Sequence, residues 1–192
     1  MLDRRSLFAA ALAACCAVPV LGAVTGARAA PAAATAPAAV TAPAAATAAR
    51  PRTGAMIAQI RIRRMGLKMA VRQGVSEAVL RRGVGHYPGT ALPGRVGNTV
   101  LLGHRTTWRA PFYQLDRVRR GDRIVLRVGR KSYVYRVRTK RVVDPRDRRA
   151  LEPVPFKRAS APHGRYLTLV TCTPKGSDRH RLVVVGKIDS KR

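Results

Sequence analysis

The chain has 192 residues, with 38 Lys and Arg against 9 Asp and Glu, a formal charge of +29. Only Cys172 lies beyond the first 16 residues, which excludes a disulfide within the folded part; once a compositionally simple N-terminus is set aside, about 140 residues remain, enough for one domain with a real core. A surface this basic attracts polyanions (nucleic acid, anionic headgroups, anionic wall polymers), yet Arg and Ala dominate throughout, so charge alone assigns neither fold nor partner.

Met1-Leu2-Asp3-Arg4-Arg5 is a basic start, and residues 7–24 are almost wholly apolar, the two leading regions of an export signal. A run of about 18 residues sits between the length of a signal peptide and that of a membrane span. Three processing readings compete. Ala27-Arg28-Ala29 fits a small-x-small cleavage site, Arg4-Arg5-Ser6-Leu7-Phe8 resembles a twin-arginine signal, and Leu12-Ala13-Ala14-Cys15 resembles a lipoprotein box behind a short apolar run. Left uncleaved, the segment is an N-terminal anchor helix. Residues 29–54 are nearly all Ala, Pro and Thr, with Arg50 and Arg52 near the end; Pro31, Pro37, Pro43 and Pro51 interrupt any helix, and almost no large apolar side chain is present to build a core. The expected organisation is therefore signal peptide or membrane anchor at 1–28, Ala/Pro/Thr-rich linker at 29–54 and one folded domain at 55–192.

From Ile57 the character changes. Ile60, Ile62, Leu67 and Val71 are separated by short polar and glycine elements, and Asn98 to Leu102 reads as a buried strand. Short helical turns fit near Val75–Leu80 and Pro111–Leu115. Asp122 to Val128 alternates around Ile124, Leu126 and Val128; Gly129 turns the chain, and Ser132 to Arg138 returns with Tyr133, Tyr135 and Val137 on one face, a hairpin. Arg165 to Cys172 is a further strand. Arg181 to Ile188 is the last, too apolar at Leu182–Val185 for a sheet edge. Short strands punctuated by Gly and Pro, with no long amphipathic helix and no internal repeat, predict an all-β domain, closed or sandwiched.

Cys172 ends its strand as an unpaired cysteine in a chain with an export signal, so it is either buried or used. A cysteine nucleophile needs a basic or cationic neighbour. His104, directly after the Asn98–Leu102 strand, projects from a rigid edge and is the best base by context. His86 sits in the loop Gly85-His86-Tyr87-Pro88-Gly89; His163 and His180 lie in polar loops. The loop 173–180 can return the chain antiparallel and bring Arg181 beside the thiol, where a guanidinium can stabilise an oxyanion. Asp178 is the only carboxylate near these residues in sequence, so the pattern is a Cys–His pair helped by Arg. A second cysteine and clustered carboxylates are missing, which predicts no metal, and no P-loop or dinucleotide motif predicts no nucleotide cofactor. The non-enzyme alternative is a basic β-domain that binds anionic wall polymer or nucleic acid. Tyr133 and Tyr135 beside Arg136 and Arg138 are a possible stacking platform or, more plainly, core aromatics with basic outward neighbours.

Four ordered segments together resemble the sortase family, most of all the class E sortases of high-GC Gram-positive bacteria. Thr168-Leu169-Val170-Thr171-Cys172-Thr173-Pro174-Lys175 with Arg181-Leu182-Val183-Val184 resembles the nucleophile and arginine segment. Asn98-Thr99-Val100-Leu101-Leu102-Gly103-His104-Arg105-Thr106-Thr107 resembles the histidine segment. Gly85-His86-Tyr87-Pro88-Gly89-Thr90 resembles the loop before it, and Pro111-Phe112-Tyr113-Gln114-Leu115 with Gly121-Asp122-Arg123-Ile124 the stretch after it. The likeness spans roughly residues 57–189. Two departures stand out: Ile62-Arg63-Arg64-Met65-Gly66 replaces an Ile-Pro turn, which predicts a looser turn there, and the net charge is high. A different exported cysteine enzyme, the L,D-transpeptidase, would be expected to show a His-Gly-Cys-type run; Val170-Thr171 precedes Cys172 instead.

The resemblance implies a closed eight-stranded β-barrel with short helices behind an N-terminal signal or anchor helix and an Ala/Pro-rich linker. It implies Cys172 as nucleophile, His104 as acid/base, Arg181 as substrate-positioning oxyanion stabiliser, a backbone oxyanion donor at Thr171 and a structural His86. The implied activity is cleavage of a C-terminal sorting motif, LAxTG or LPxTG, between Thr and Gly through a thioacyl intermediate. An amine of a peptidoglycan cross-bridge or lipid-linked precursor then takes the acyl group, with no cofactor. The implied setting is a monomer on the extracytoplasmic face of the membrane, acting on secreted proteins and binding no specific nucleic acid.

Overall fold

The computed structural model describes residues 50–189, and the expected leader, Cys15, Cys16 and linker residues 29–49 lie outside the described residues. Eight strands follow in chain order: β1 (Met56–Ile62), β2 (Leu67–Gln73), β3 (Val84–His86), β4 (Gly97–Leu102), β5 (Arg123–Val128), β6 (Lys131–Val143), β7 (Arg165–Thr173) and β8 (His180–Lys187). They close into one barrel in the order β1-β2-β3-β4-β7-β8-β6-β5. The all-β, eight-stranded barrel with short helices expected from the resemblance is the fold found. One short helix, α1 (Glu77–Leu80), and 3-10 turns at Arg63–Met65, Leu115–Arg117 and Arg148–Leu151 fill the connections. Among the described residues no helix is long and apolar enough to cross a membrane.

Alternation sets the core. Ile60 and Ile62 of β1, Ile124 and Leu126 of β5, Tyr135 and Val137 of β6, and Leu167 and Leu169 of β7 point into the barrel and are almost fully buried. Each large side chain removed from water in this way contributes about 1.5–3 kcal/mol. In β8 both faces are covered. Leu182 and Val184 belong to the barrel interior, while Val183 and Val185 pack outside it with Ala150 of the β6–β7 connection. This second layer explains why residues 182–185 read as too apolar for an edge.

Two sequence expectations change. β6 runs well past Arg138 to Val143, because its first half pairs with β5 and its second half with β8, across an irregularity between Val137 and Thr139. The polar stretch of Arg138, Lys140 and Arg141 hides that continuation from a hydrophobicity reading. The turn after β1 is not loose. Arg63–Met65 forms a 3-10 turn closed by Gly66 N donating to Arg63 O at 3.0 Å, with Gly66 at a φ of 62°. Arg64 Nη2 donates to Asp122 Oδ1 at 2.9 Å and ties that turn to the start of β5.

Tyr135 is fully buried, and its hydroxyl accepts a bond from Gly94 N at 2.8 Å. It is a core residue, so the Tyr133–Tyr135 pair offers no two-ring stacking platform. The strand directions matter for the site. β1 is antiparallel to β2, β2 parallel to β3, β3 antiparallel to β4, and β4 parallel to β7. β4 and β7 therefore end at the same mouth of the barrel, as does β1.

Candidate active site

Cys172 lies near the end of β7, with β4 on one side and β8 on the other. Across the antiparallel β7–β8 ladder its partner is Arg181. Opposite residues in such a ladder project to the same face with Cα atoms about 4.5–5.5 Å apart. The parallel β4–β7 ladder ends at Leu102 opposite Val170. Two further bonds carry the pairing past the strand end: Gly103 N donates to Val170 O at 3.3 Å, and Thr171 Oγ1 donates to Gly103 O at 2.8 Å. His104 thus leaves β4 level with Cys172. The structure brings Cys172, His104 and Arg181 to three adjacent strand ends.

Alternation fixes which face they use. Leu169 and Thr171 are buried towards the barrel, whereas Val170 packs in the outer layer with Val183. Cys172 shares the face of Val170, and Arg181 the face of Val183. A groove of about 200 Å³ runs over this outer face, lined by Leu102, Val170, Val183, Arg181, Tyr87 and Leu151. Its far wall is the β6–β7 connection, residues 144–164. A larger concavity of about 1030 Å³ lies beside Arg165, at the other end of β7, and none of the three residues lines it.

The connection is held down from below by one buried amide. Asn98 Nδ2 donates to Ala150 O and to Glu152 O, both at 2.9 Å, and Asn98 Oδ1 accepts from Thr168 Oγ1 at 2.8 Å. Asn98 and Thr168 lie on the strands that farther along carry His104 and Cys172. The barrel wall that presents the thiol therefore also anchors the opposite wall of the groove.

His104 is partly buried, and its Nε2 has no hydrogen-bond partner. Its backbone carbonyl accepts from Phe112 N at 3.2 Å. Gly103 permits this packing, since a Cβ there would stand 2.8 Å from Pro111 Cγ and 2.9 Å from Phe112 Cδ2. Arg181 Nη1 donates to the carbonyls of Asp178 at 2.6 Å and His180 at 3.2 Å, so its own loop aims it. Thr171 is buried, with its side chain committed to Gly103.

The other histidines are elsewhere. His86 is buried, with Nδ1 2.8 Å from Gln73 Oε1 and Nε2 3.1 Å from the Ala91 carbonyl. Burial pushes its pKa below the ordinary histidine value, so it stays neutral and supports the loop 87–96. His163 and His180 are exposed. Sequence reading missed Arg105, which is 4% exposed, and the Asn98–Thr168 pair. In a chain with 38 Lys and Arg, one more arginine carries no signal.

Comparison with known proteins gives a consistent picture. A family model described as a sortase domain matches residues 60–189. Sortase SrtE1 of Streptomyces coelicolor is 35% identical over 147 residues, covering 72% of this chain and 42% of that protein. The chain thus spans less than half the length of that curated relative. Among solved structures, sortase E from Streptomyces avermitilis superposes with a TM-score of 0.65 at 37% identity, covering 72% of this chain and 91% of the other. The crystal structure of Sortase E1 from Streptomyces coelicolor with a tripeptide in the active site superposes with a TM-score of 0.67 at 34% identity, covering 74% and 93%.

Proposed function

This chain belongs to the sortase family, and from that premise we propose that it is a cysteine transpeptidase that joins exported proteins to a cell-wall amine. The supporting observation is the register: Cys172 faces Arg181 across one ladder and lies level with His104 beyond the other.

The reaction begins with a C-terminal sorting motif lying in the groove over Val170 and Val183. The Cys172 thiolate attacks the Thr carbonyl carbon and forms a C–S bond. The carbonyl oxygen takes the negative charge and is stabilised by the Arg181 guanidinium and the Thr171 backbone N–H. Collapse breaks the C–N bond to Gly, and His104 gives a proton to the departing amine. The acyl group is now a thioester on Cys172. An amine of a peptidoglycan cross-bridge or lipid-linked precursor attacks it, His104 takes the amine's proton, and the C–S bond breaks to return the thiolate. No cofactor enters.

The motif is of LAxTG or LPxTG type, with class E likeness favouring the alanine form. Residues 1–28 direct export, or anchor the chain in the membrane, and the Ala/Pro/Thr segment tethers a monomeric barrel on the extracytoplasmic face.

The test uses the full chain in mild detergent with Leu-Ala-x-Thr-Gly and Leu-Pro-x-Thr-Gly peptides, each with an amine acceptor, read by mass spectrometry. Cleavage after Thr with transfer to the amine is expected, faster with the alanine peptide and absent in Cys172→Ala. A folded protein that leaves both peptides intact would favour the non-catalytic, wall-polymer-binding reading.

A further inference from the structure

We propose that Arg105 is a positioning residue for His104: its buried guanidinium fixes the β4–β5 loop that holds the histidine backbone in line with Cys172. The inference rests on the acid/base role given to His104.

Arg105 follows His104 directly, and only 4% of it is exposed. Its Nε donates to the Tyr113 carbonyl at 2.9 Å, and its Nη2 lies 3.0 Å from Asp116 Oδ1. Its Nη1 is buried with no hydrogen-bond partner. Taking a guanidinium out of water is costly, and an apolar residue of similar size commonly gives equal or greater stability. Stability therefore gives no reason for arginine here. What a planar fork supplies and an apolar side chain does not is a fixed two-point link, to a backbone carbonyl and to a carboxylate.

That link closes the loop on itself. After Arg105 the chain swings outward through Trp108 and Ala110, both in the left-handed backbone region at φ of 56° and 38°, a conformation that non-glycine residues hold only when the surroundings impose it. It returns at Phe112, whose N–H donates to His104 O. Phe112, Leu115 and Val118 are fully buried in the barrel core, so the returning segment is rigid. Arg105 joins the histidine to that anchored segment. The same segment touches the loop behind the nucleophile, because Lys175 Nζ stands 3.9 Å over the Tyr113 ring. The guanidinium thus braces the segment that reaches from the acid/base to the loop after the nucleophile strand.

The experiment compares the full-length wild type with Arg105→Gln and Arg105→Lys, recording kcat and KM for transpeptidation and hydrogen exchange at the Phe112 amide. A displacement of the acid/base by a fraction of an ångström to 1 Å predicts a fall in kcat of about 10- to 100-fold with KM within about twofold. Exchange at Phe112 is expected to quicken while the other strands stay protected. Lysine, a point charge without the fork, restores less than half of the lost kcat on a logarithmic scale. If Arg105→Gln does not fold, Asp116→Asn, at a half-exposed residue, carries the same test and is expected to lower kcat severalfold at constant KM. An unchanged kcat, a Phe112 amide that stays protected, or faster exchange spread over the whole barrel overturns the inference. If the wild type shows no turnover at all, the transpeptidase reading fails, and the Phe112 amide still decides whether Arg105 holds the loop.

Discussion

Cys172 and Arg181 are direct partners across the β7–β8 ladder, on the outer face of the barrel. The arginine is aimed by the carbonyls of Asp178 and His180, so it is set in place before any substrate arrives. Replacing it with alanine is expected to lower kcat/KM by about 10²–10³, the usual loss for an oxyanion donor. Cys172 should remain alkylatable but react more slowly, because the thiol keeps His104 as a basic neighbour and loses the cation across the ladder. Steady-state rates and iodoacetamide labelling check both statements; an Arg181→Ala enzyme of normal activity removes Arg181 from the mechanism.

Thr171 is expected to act twice. Its backbone N–H is the proposed oxyanion donor, while its hydroxyl donates to Gly103 O, one residue before His104. Thr171→Val keeps the shape and removes only the second function. It leaves a buried carbonyl short of a donor, at a cost of about 1–3 kcal/mol in stability. The loss should appear in urea unfolding, with kcat reduced more than KM is raised. Equal stability would show that Gly103 O finds another donor.

Asn98 holds the far wall of the groove through three bonds, two to the carbonyls of Ala150 and Glu152 and one from Thr168. In Asn98→Ala two carbonyls lose their donor and one hydroxyl its acceptor, costing about 2–4 kcal/mol by the unsatisfied-group rule. The freed connection should raise KM severalfold and change kcat less, the opposite split from that expected of Arg105. Michaelis kinetics on a peptide series distinguishes the two; a pure kcat effect would contradict the clamp.

His86 makes stability depend on pH. Burial pushes its folded pKa below the ordinary value near 6.5. As pH falls through about 6.5 the unfolded chain takes up a proton that the folded chain refuses, so stability is complete above that pH and declines below it towards the folded pKa. A separate decline lies lower. The hydrogen bond from Arg149 holds Asp147 at about 2, against 3.8 for a free carboxyl, and Arg64 lowers Asp122 in the same sense. Urea unfolding between pH 8 and 5 should show the first decline in the wild type and a flatter line in His86→Gln. An identical slope would mean that His86 is not its source.

The three candidate residues were legible because each stands at the end of a run. His104 and Cys172 close apolar strands, and Arg181 opens one, so period-two patterning already placed them on rigid edges. That patterning says nothing about which strands are neighbours; β7 lying between β4 and β8 is a property of barrel closure. The groove wall was hidden for a different reason. Residues 144–164 carry Gly, Pro and charged residues with no period, and they are tied to the barrel by the packing of Ala150 on Val183 and Val185 and by an asparagine that reads as an ordinary strand residue. Arg105 was hidden by composition, since only its burial separates it from the arginines around it.

Every role proposed for the site depends on acylation of Cys172 by the sorting motif. The direct measurement is intact-protein mass spectrometry of the full chain after mixing with a Leu-Ala-x-Thr-Gly peptide in the absence of amine. A mass increase equal to the peptide up to its Thr is expected on Cys172, with the glycine-bearing fragment released and the adduct discharged when an amine is added. A folded protein with an alkylatable Cys172 that gains no mass from this peptide or its proline counterpart would contradict it.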